Sequence, residues 1–155
     1  MPSNFEEQCH QHVQGILLLL LEDDSMAVRL AGIRAMSIFA AKCPAIRPRC
    51  LRFLIDMLND EIDEVRVGAL HGISRFNEVL ILNDYEVETV LFNLNEDNIK
   101  LRSGIYRFFG ETIIDRSLAL FMKLIDRLIR NLIRYAAQDQ HLIFRLMRKL
   151  GKSHS

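Results

Sequence analysis

The chain has 155 residues, half of them hydrophobic, with three prolines and seven glycines. This composition excludes disorder over most of the chain and favours helix over strand. The formal net charge is zero, but residues 1–115 hold 11 Lys/Arg against 18 Asp/Glu, and residues 116–155 hold 9 against 2. A charge asymmetry of this kind is typical of a chain with an interaction surface.

The first strong helix signal is the apolar run from Gly15 to Leu21. It is too short to span a bilayer, and the acidic segment before it is a poor signal peptide. The three cysteines, Cys9, Cys43 and Cys50, are odd in number and lack CxxC spacing, so neither a disulfide framework nor a zinc motif follows. We therefore expect a buried helix, no membrane span and a reducing compartment.

The next signal is a nine-residue phrase that occurs three times. It reads LEDDSMAVR at 21–29, LNDEIDEVR at 58–66 and LNEDNIKLR at 94–102. Each copy stands between two apolar helical runs, which predicts that its acidic pair lies at a tight turn between helices. A carboxylate at the start of the second helix would accept backbone N–H groups and meet the positive end of the helix dipole.

The second helices are apolar on two faces, which predicts neighbours on both sides, as in a solenoid of stacked helix pairs. Gly68 and Gly104, two residues after an arginine, predict close helix approach. The acidic turn followed by Val-Arg resembles HEAT repeats, whereas the ankyrin and tetratricopeptide patterns are absent. We predict an all-α, HEAT-type superhelix of about four helix pairs, a single array over 1–155. Its repeats are about 11–42, 47–80 and 86–111, with a terminal helix pair at 115–150.

Six residues of the phrases are predicted to be structural. Each arginine can reach an acid at a neighbouring turn, which would build a ladder of ion pairs along the stack; we favour this over ligand binding. The six residues are Asp24, Arg29, Glu61, Arg66, Asp97 and Arg102.

The basic end of the chain carries the candidate partner-binding patch. Its first stripe shares one face of a helix because the residues are spaced four, three and four; it consists of Lys123, Arg127, Arg130 and Arg134. The second stripe, on the next helix, consists of Arg145, Arg148, Lys149 and Lys152. The line of apolar residues that begins at Leu118 is expected to face the core instead.

Two interpretations of this patch stay open. It is either two solvated faces, partly neutralised by Asp126 and Asp139, or a docking surface for an acidic protein segment or an RNA backbone. Binding to RNA would be sequence-independent and weakened by salt. No aromatic residues are interleaved for base stacking, so an acidic protein partner is favoured over RNA.

No catalytic constellation is visible in the sequence. There is no glycine-rich phosphate loop, no GxSxG and no HExxH. The histidines of CHQH at 9–12 are two apart and point to different helix faces, and the acidic clusters lack the pattern of an EF-hand. We predict no enzyme activity, no cofactor, no metal and no small-molecule substrate. A small helical enzyme with a dispersed active site is the alternative from another class.

Three segments resemble, in the same order, the HEAT region of the Integrator complex subunit 4 family. They are DMLNDEIDEVR (56–66), YEVETVLFNLNEDNIKLR (85–102) and LIRNLIRYAAQDQHLIFRLMRKLGKSH (128–154). The resemblance implies a non-catalytic scaffold in the nuclear Integrator complex, which cleaves RNA polymerase II transcripts and processes small nuclear RNA 3′ ends. It also implies other protein subunits as partners, above all an endonuclease pair. Family members are much longer than this chain. A HEAT-repeat adaptor fragment from nuclear transport or chromatin machinery is the alternative.

Overall fold

The structure, a computed structural model, describes residues 4–76, 79–111 and 117–153. Those ranges contain eight α-helices, three short 3₁₀ turns and no β-strand. The helices are α1 (Asn4–Leu21), α2 (Met26–Lys42), α3 (Arg47–Asp56), α4 (Asp63–Ile73), α5 (Asp84–Phe92), α6 (Ile99–Glu111), α7 (Leu118–Arg134) and α8 (Ala136–Ser153). The predicted fold class, all-α with HEAT-type helix pairs, is confirmed.

The chain divides into two compact units, Met1–Phe76 and Asn77–Ser155. In the first unit α1 pairs with α2 and α3 pairs with α4, and α2 also packs on α4. Pro48 stands in the first turn of α3, where the missing N–H of proline costs nothing. The side chains that fill the space between these helices are apolar and fully buried; they include Ile33, Met36, Leu54, Ile55, Leu70 and Ile73.

Glycines let the helices of the first unit approach closely. A Cβ added at Gly32 would lie 2.8 Å from the Cβ of Leu20 on α1, and one added at Gly68 would lie 2.7 Å from Cδ2 of Leu30 on α2. Contacts this short exclude any larger side chain unless the neighbour moves. The close approach that was predicted at Gly68 therefore has its partner on α2.

In the second unit a 3₁₀ turn at Asn93–Asn95 joins α5 to α6 and contacts both, α6 packs on α8, and α7 pairs with α8. Helix α5 begins with a capping box: the Asn83 side chain accepts from the Glu86 N–H, and the Glu86 carboxylate accepts from the Asn83 N–H. Ser117 caps α7 by accepting from the Leu120 N–H. The fully buried apolar side chains of this unit include Leu91, Leu94, Phe108, Phe109 and Leu128.

Two helix bounds differ most from the predicted repeat bounds. Helix α1 begins at Asn4, before the predicted start at about residue 11, and α4 ends at Ile73, before the predicted end of its repeat at residue 80. Leu80 is buried but lies after α4. The predicted start of the terminal pair at 115 lies outside the described residues. That the repeats form one single array stays a prediction. No helix in the described ranges is both long and apolar enough to cross a membrane.

Candidate interaction site

The arginine of the first phrase joins two helix pairs of the first unit. Arg29 lies in the first turn of α2 and donates to the backbone carbonyls of Asp23 (2.8 Å) and Asp24 (3.1 Å). Its Nη2 donates to Oδ1 of Asp60 at 3.2 Å, and its Nε lies 2.9 Å from Oδ2. Asp60 stands at the turn before α4, the turn of the second phrase. Arg29 therefore ties the start of α2 to the next acidic turn.

The arginine of the second phrase makes a local contact. Arg66 lies in α4 and forms an ion pair with Asp63, three residues earlier in the same helix. This pair lies within one helix and supports α4.

The arginine of the third phrase is the centre of a fully buried cluster in the second unit. Arg102 on α6 donates two hydrogen bonds to Asp139 on α8, from Nε to Oδ2 at 2.6 Å and from Nη2 to Oδ1 at 2.9 Å. Both side chains are 0% exposed. It also donates to the Glu96 carbonyl at 2.8 Å, and its guanidinium lies 3.7 Å from the ring centroid of Tyr135. The hydrogen bond with Asp139 raises the pKa of Arg102 above its ordinary value.

Two further polar side chains complete this cluster. The Tyr106 hydroxyl donates to Oδ2 of Asp139 at 2.8 Å, and Asn131 donates from Nδ2 to the Tyr106 hydroxyl at 2.9 Å and to the Leu94 carbonyl at 2.8 Å. Burial is the main cause that raises the pKa of Tyr106, so its hydroxyl stays protonated and can donate. A buried charge pair surrounded by hydrogen bonds in this way rigidifies the packing between helices.

Asp139 is the main correction to the sequence-based account. In one of the two interpretations of the basic patch it partly neutralised the stripes on the surface, but it is completely buried and pairs with Arg102. That part of the interpretation was wrong because the contact between Arg102 on α6 and the first turn of α8 depends on tertiary packing. The sequence held a signal for this position. Asp139 follows the junction between α7 and α8, as the acids of the repeated phrases follow the first helix of their own pairs.

The turn hydrogen bonds come from the acidic pair in the first two phrases and from an asparagine in the third. Asp23 and Asp60 each accept from the backbone N–H two residues later, at 2.8 and 2.9 Å, and Asn98 does the same at 2.9 Å in the third phrase. The N-cap residues of α2 and α4 form no side-chain cap bond. The acidic pair of each phrase was predicted to accept backbone N–H groups. The first acid of the pair does so in the first two phrases, and Asn98, which follows the pair, does so in the third. The structural role predicted for Asp24, Glu61 and Asp97 stays a prediction.

The basic stripe of α7 is largely paired within its own unit. Lys123 lies 3.0 Å from a carboxylate oxygen of Glu88 on α5, and Arg127 donates to the Asn95 side chain at 3.0 Å. Arg130 pairs with Asp126 one turn earlier at 2.7 Å, and Arg134 lies 3.6 Å from Asp97. The stripe therefore faces acids and amides of its own unit as well as solvent.

A shift of the buried face explains this pairing. The core line of α7 is Leu120, Leu124, Leu128 and Asn131, whereas Leu118, predicted to face the core, is 76% exposed. Arg127 consequently borders the buried face, and its side chain is only 24% exposed. The prediction that the whole stripe faces water was wrong for this residue.

The second stripe lies beside a different helix. Lys149 on α8 lies 3.7 Å from Glu111 on α6, and Arg145 and Arg148 are exposed. Lys152 is exposed at the end of α8. The α7 stripe therefore borders α5, and Lys149 of the α8 stripe borders α6. That the two stripes form one positive surface stays a prediction.

An exposed apolar row on α7 was missed by the sequence analysis. Leu118, Met122, Ile129 and Ile133 are spaced four, seven and four, and all are exposed, Ile133 to 81%. This spacing places them on one face of the helix. Contiguous apolar side chains on a surface commonly mark a site of protein assembly. The signal in the sequence was a helix with too many apolar residues for one buried face.

Within the described ranges, no group of three or more His, Cys, Asp or Glu side chains is placed to hold a metal ion. Arg102 and Tyr106, whose pKa values are raised, are buried in the cluster around Asp139. Because these side chains have almost no solvent access, the cluster contributes to the packing of the helices. The exposed polar and apolar surfaces are the parts of this chain suited to binding.

No protein-family model matches the chain. Among curated proteins, human Integrator complex subunit 4 is 30% identical over 134 residues, which make up 86% of this chain and 14% of that protein. The Drosophila melanogaster protein of the same name is 30% identical over 140 residues, 90% of this chain and 14% of that protein. The Dictyostelium discoideum homolog is 24% identical over 142 residues, 92% of this chain and 11% of that protein. These matches confirm the resemblance, and the chain spans 11–14% of the length of these relatives.

Proposed function

Because the chain is a relative of the Integrator complex subunit 4 family over most of its length, we propose that it is a scaffold segment of an Integrator-related complex. The observation that carries the proposal is the similarity over 86–92% of the chain to proteins of that name from human, fly and slime mould. A scaffold needs rigid helix pairs with exposed surfaces, and the buried cluster around Arg102 and the exposed apolar row of α7 support this role.

We further propose that the chain acts in the nucleus, in small nuclear RNA 3′-end processing and in the cleavage of RNA polymerase II transcripts. In this proposal it helps to hold the endonuclease pair and performs no chemistry itself. Burial raises the pKa of the Cys50 thiol to about 11, so this cysteine is not a ready nucleophile near neutral pH. The ion pair of Arg102 and Asp139, likewise, is closed to solvent.

The eight basic residues of the two stripes remain the proposed surface for an acidic protein segment. We expect them to contribute unequally to binding. Arg145 and Arg148 on α8 are exposed and would contribute most. Lys123 and Arg127 already face Glu88 and would contribute least. RNA binding by these residues is not favoured.

The test is affinity purification of the tagged chain from nuclear extract, with quantitative mass spectrometry of the copurifying proteins. We expect Integrator subunits, among them the endonuclease pair, to be enriched over a tag-only control. The matched variant carries Arg145→Glu and Arg148→Glu, which should keep the helical circular dichroism spectrum and reduce the recovery. Absence of every Integrator subunit from purifications of the folded chain would contradict the proposal.

A further inference from the structure

A groove with a volume of about 290 Å³ lies between α2 and α4 in the first unit. It is distinct from the basic stripes of the second unit. Its floor contains the apolar side chains of Leu30 and Ile33 from α2, and the backbone of Gly68 and Gly72 from α4. The groove exists because neither glycine projects a side chain into the space between the two helices.

Of the lining residues in the described part of the chain, Ser37 alone carries a hydroxyl. A Cβ added at Gly72 would clash with Oγ of Ser37, so a side chain at this position would displace the serine. The Ser37 hydroxyl, itself buried, donates to the Ile33 carbonyl at 2.7 Å. The floor therefore offers a ligand apolar surface and no free hydroxyl proton.

The rim of the groove is basic. Arg34 stands on α2, His71 stands in the last turn of α4, and Arg75 stands in the turn that follows α4. All three are exposed. Arg34 donates from Nε to the Leu30 carbonyl of its own helix at 3.4 Å. Among the described residues, no carboxylate forms an ion pair with any of the three.

We propose that this groove binds an acidic peptide segment of a partner protein. A carboxylate of the peptide would accept hydrogen bonds from Arg34 and Arg75, because guanidinium groups match carboxylates in geometry and charge. A neighbouring aliphatic side chain of the peptide would lie on Leu30. The inference rests on the proposed scaffold function, since it names the kind of protein segment that one surface accepts.

The composition of the groove favours a peptide over nucleic acid. No Phe, Tyr or Trp side chain lines it, so it offers no stacking platform for bases. Its volume is near the lower end of the range of small-ligand sites, which suits a few side chains of an extended segment. An apolar floor with a basic rim complements a segment that combines acidic and aliphatic residues.

The experiment uses the purified full chain and a short fluorescein-labelled peptide of glutamate and leucine, followed by fluorescence anisotropy. We expect binding that weakens with salt. Arg34→Glu and Arg75→Glu should each weaken it about tenfold or more, because each places a negative charge beside the bound carboxylate. The matched control is Arg52→Glu, which makes the same charge change at an exposed position on α3 and should change the affinity less than about twofold.

Three results would overturn the inference. Equal weakening by Arg75→Glu and Arg52→Glu would mean that only net charge matters. Tighter binding of an oligouridylate RNA, competing with the peptide, would assign the groove to nucleic acid. Absence of peptide binding by the folded chain at low salt would contradict the proposal that the groove binds a peptide. The scaffold proposal is tested separately by copurification of Integrator subunits, so either proposal can fail without the other. His71→Gln, which replaces the imidazole by an uncharged amide and leaves both arginines, should retain most of the binding.

Discussion

The arginine of the repeated phrase has different surroundings in the two units. In the first unit Arg29 and Asp60 are each 9% exposed, and their contact bridges the start of α2 and the turn before α4. In the second unit Arg102 and Asp139 have no exposure, and Tyr106, Gln138 and Tyr135 surround them. The same sequence phrase therefore produces a partly solvated contact in one unit and a sealed polar cluster in the other.

This difference indicates that burial of the ion pair, more than the repeated phrase, determines how much the contact contributes to stability. Removing one partner of a charge pair that keeps some solvent access costs less, because water can partly solvate the partner that remains. A sealed pair leaves an uncompensated charge in a medium of low dielectric constant. The two units thus make one comparison that mutations can test.

The largest effect is expected from Arg102→Met. It leaves Asp139 buried without its cation, which should cost about 3–5 kcal/mol in the free energy of unfolding. All three tyrosines, Tyr85, Tyr106 and Tyr135, lie after residue 77, and the chain has no tryptophan. Tyrosine fluorescence during urea denaturation therefore reports the second unit specifically. A loss below about 1 kcal/mol would show that the cluster is not sealed.

Arg29→Met should have a smaller effect, about 1.5–3 kcal/mol, because Asp60 keeps the Ile62 N–H as a partner and stays close to solvent. The measurement is amide hydrogen exchange in α2 and α4, which are expected to lose protection while α6 and α8 keep theirs. A larger loss here than for Arg102→Met would reverse the comparison between the units.

Removing the N-cap side chain should destabilise the second unit by about 1 kcal/mol more than the first. Asn83→Ala removes the capping box of α5 and should cost roughly 0.5–2 kcal/mol in the second unit. Ser25→Ala is the matched variant in the first unit, where the N-cap side chain of α2 makes no cap bond and little change is expected. Thermal melts followed by circular dichroism measure both; equal losses would mean that the caps of α2 and α5 are equivalent.

The smallest effect is expected at the exposed pair of Arg130 and Asp126. Both side chains are exposed and lie four residues apart on α7, so Arg130→Gln should change stability by only about 0.3–0.5 kcal/mol. Raising the salt concentration should abolish even this difference. A change as large as that of the Asn83 variant would assign this pair a structural role.

Much of the fold could be predicted because the phrase marks a helix–turn–helix junction in local sequence. The acidic turn, the position of each arginine early in its helix and the close approach at Gly68 follow from spacing and residue size. The partners of the arginines do not, since Arg29 reaches Asp60 and Arg102 reaches Asp139 through packing alone.

The buried face of α7 shows the same limit. Its first turns are apolar all round, including Leu118, Leu120, Phe121 and Met122. Periodicity could not choose among these residues, and packing selected the line from Leu120. The basic residues next to that line were consequently placed too far towards solvent, and the apolar row on the outer face went unnoticed.

The measurement that tests this account most directly is a pair of double-mutant cycles, one at Arg102 and Asp139 and one at Arg29 and Asp60. Each cycle isolates the coupling energy of its pair from the other effects of the substitutions. The account predicts favourable coupling in both, because each pair links successive helix pairs, and a coupling in the second unit that exceeds the first by about 1 kcal/mol or more. Coupling near zero at Arg102 and Asp139, or larger coupling at Arg29 and Asp60, would contradict it.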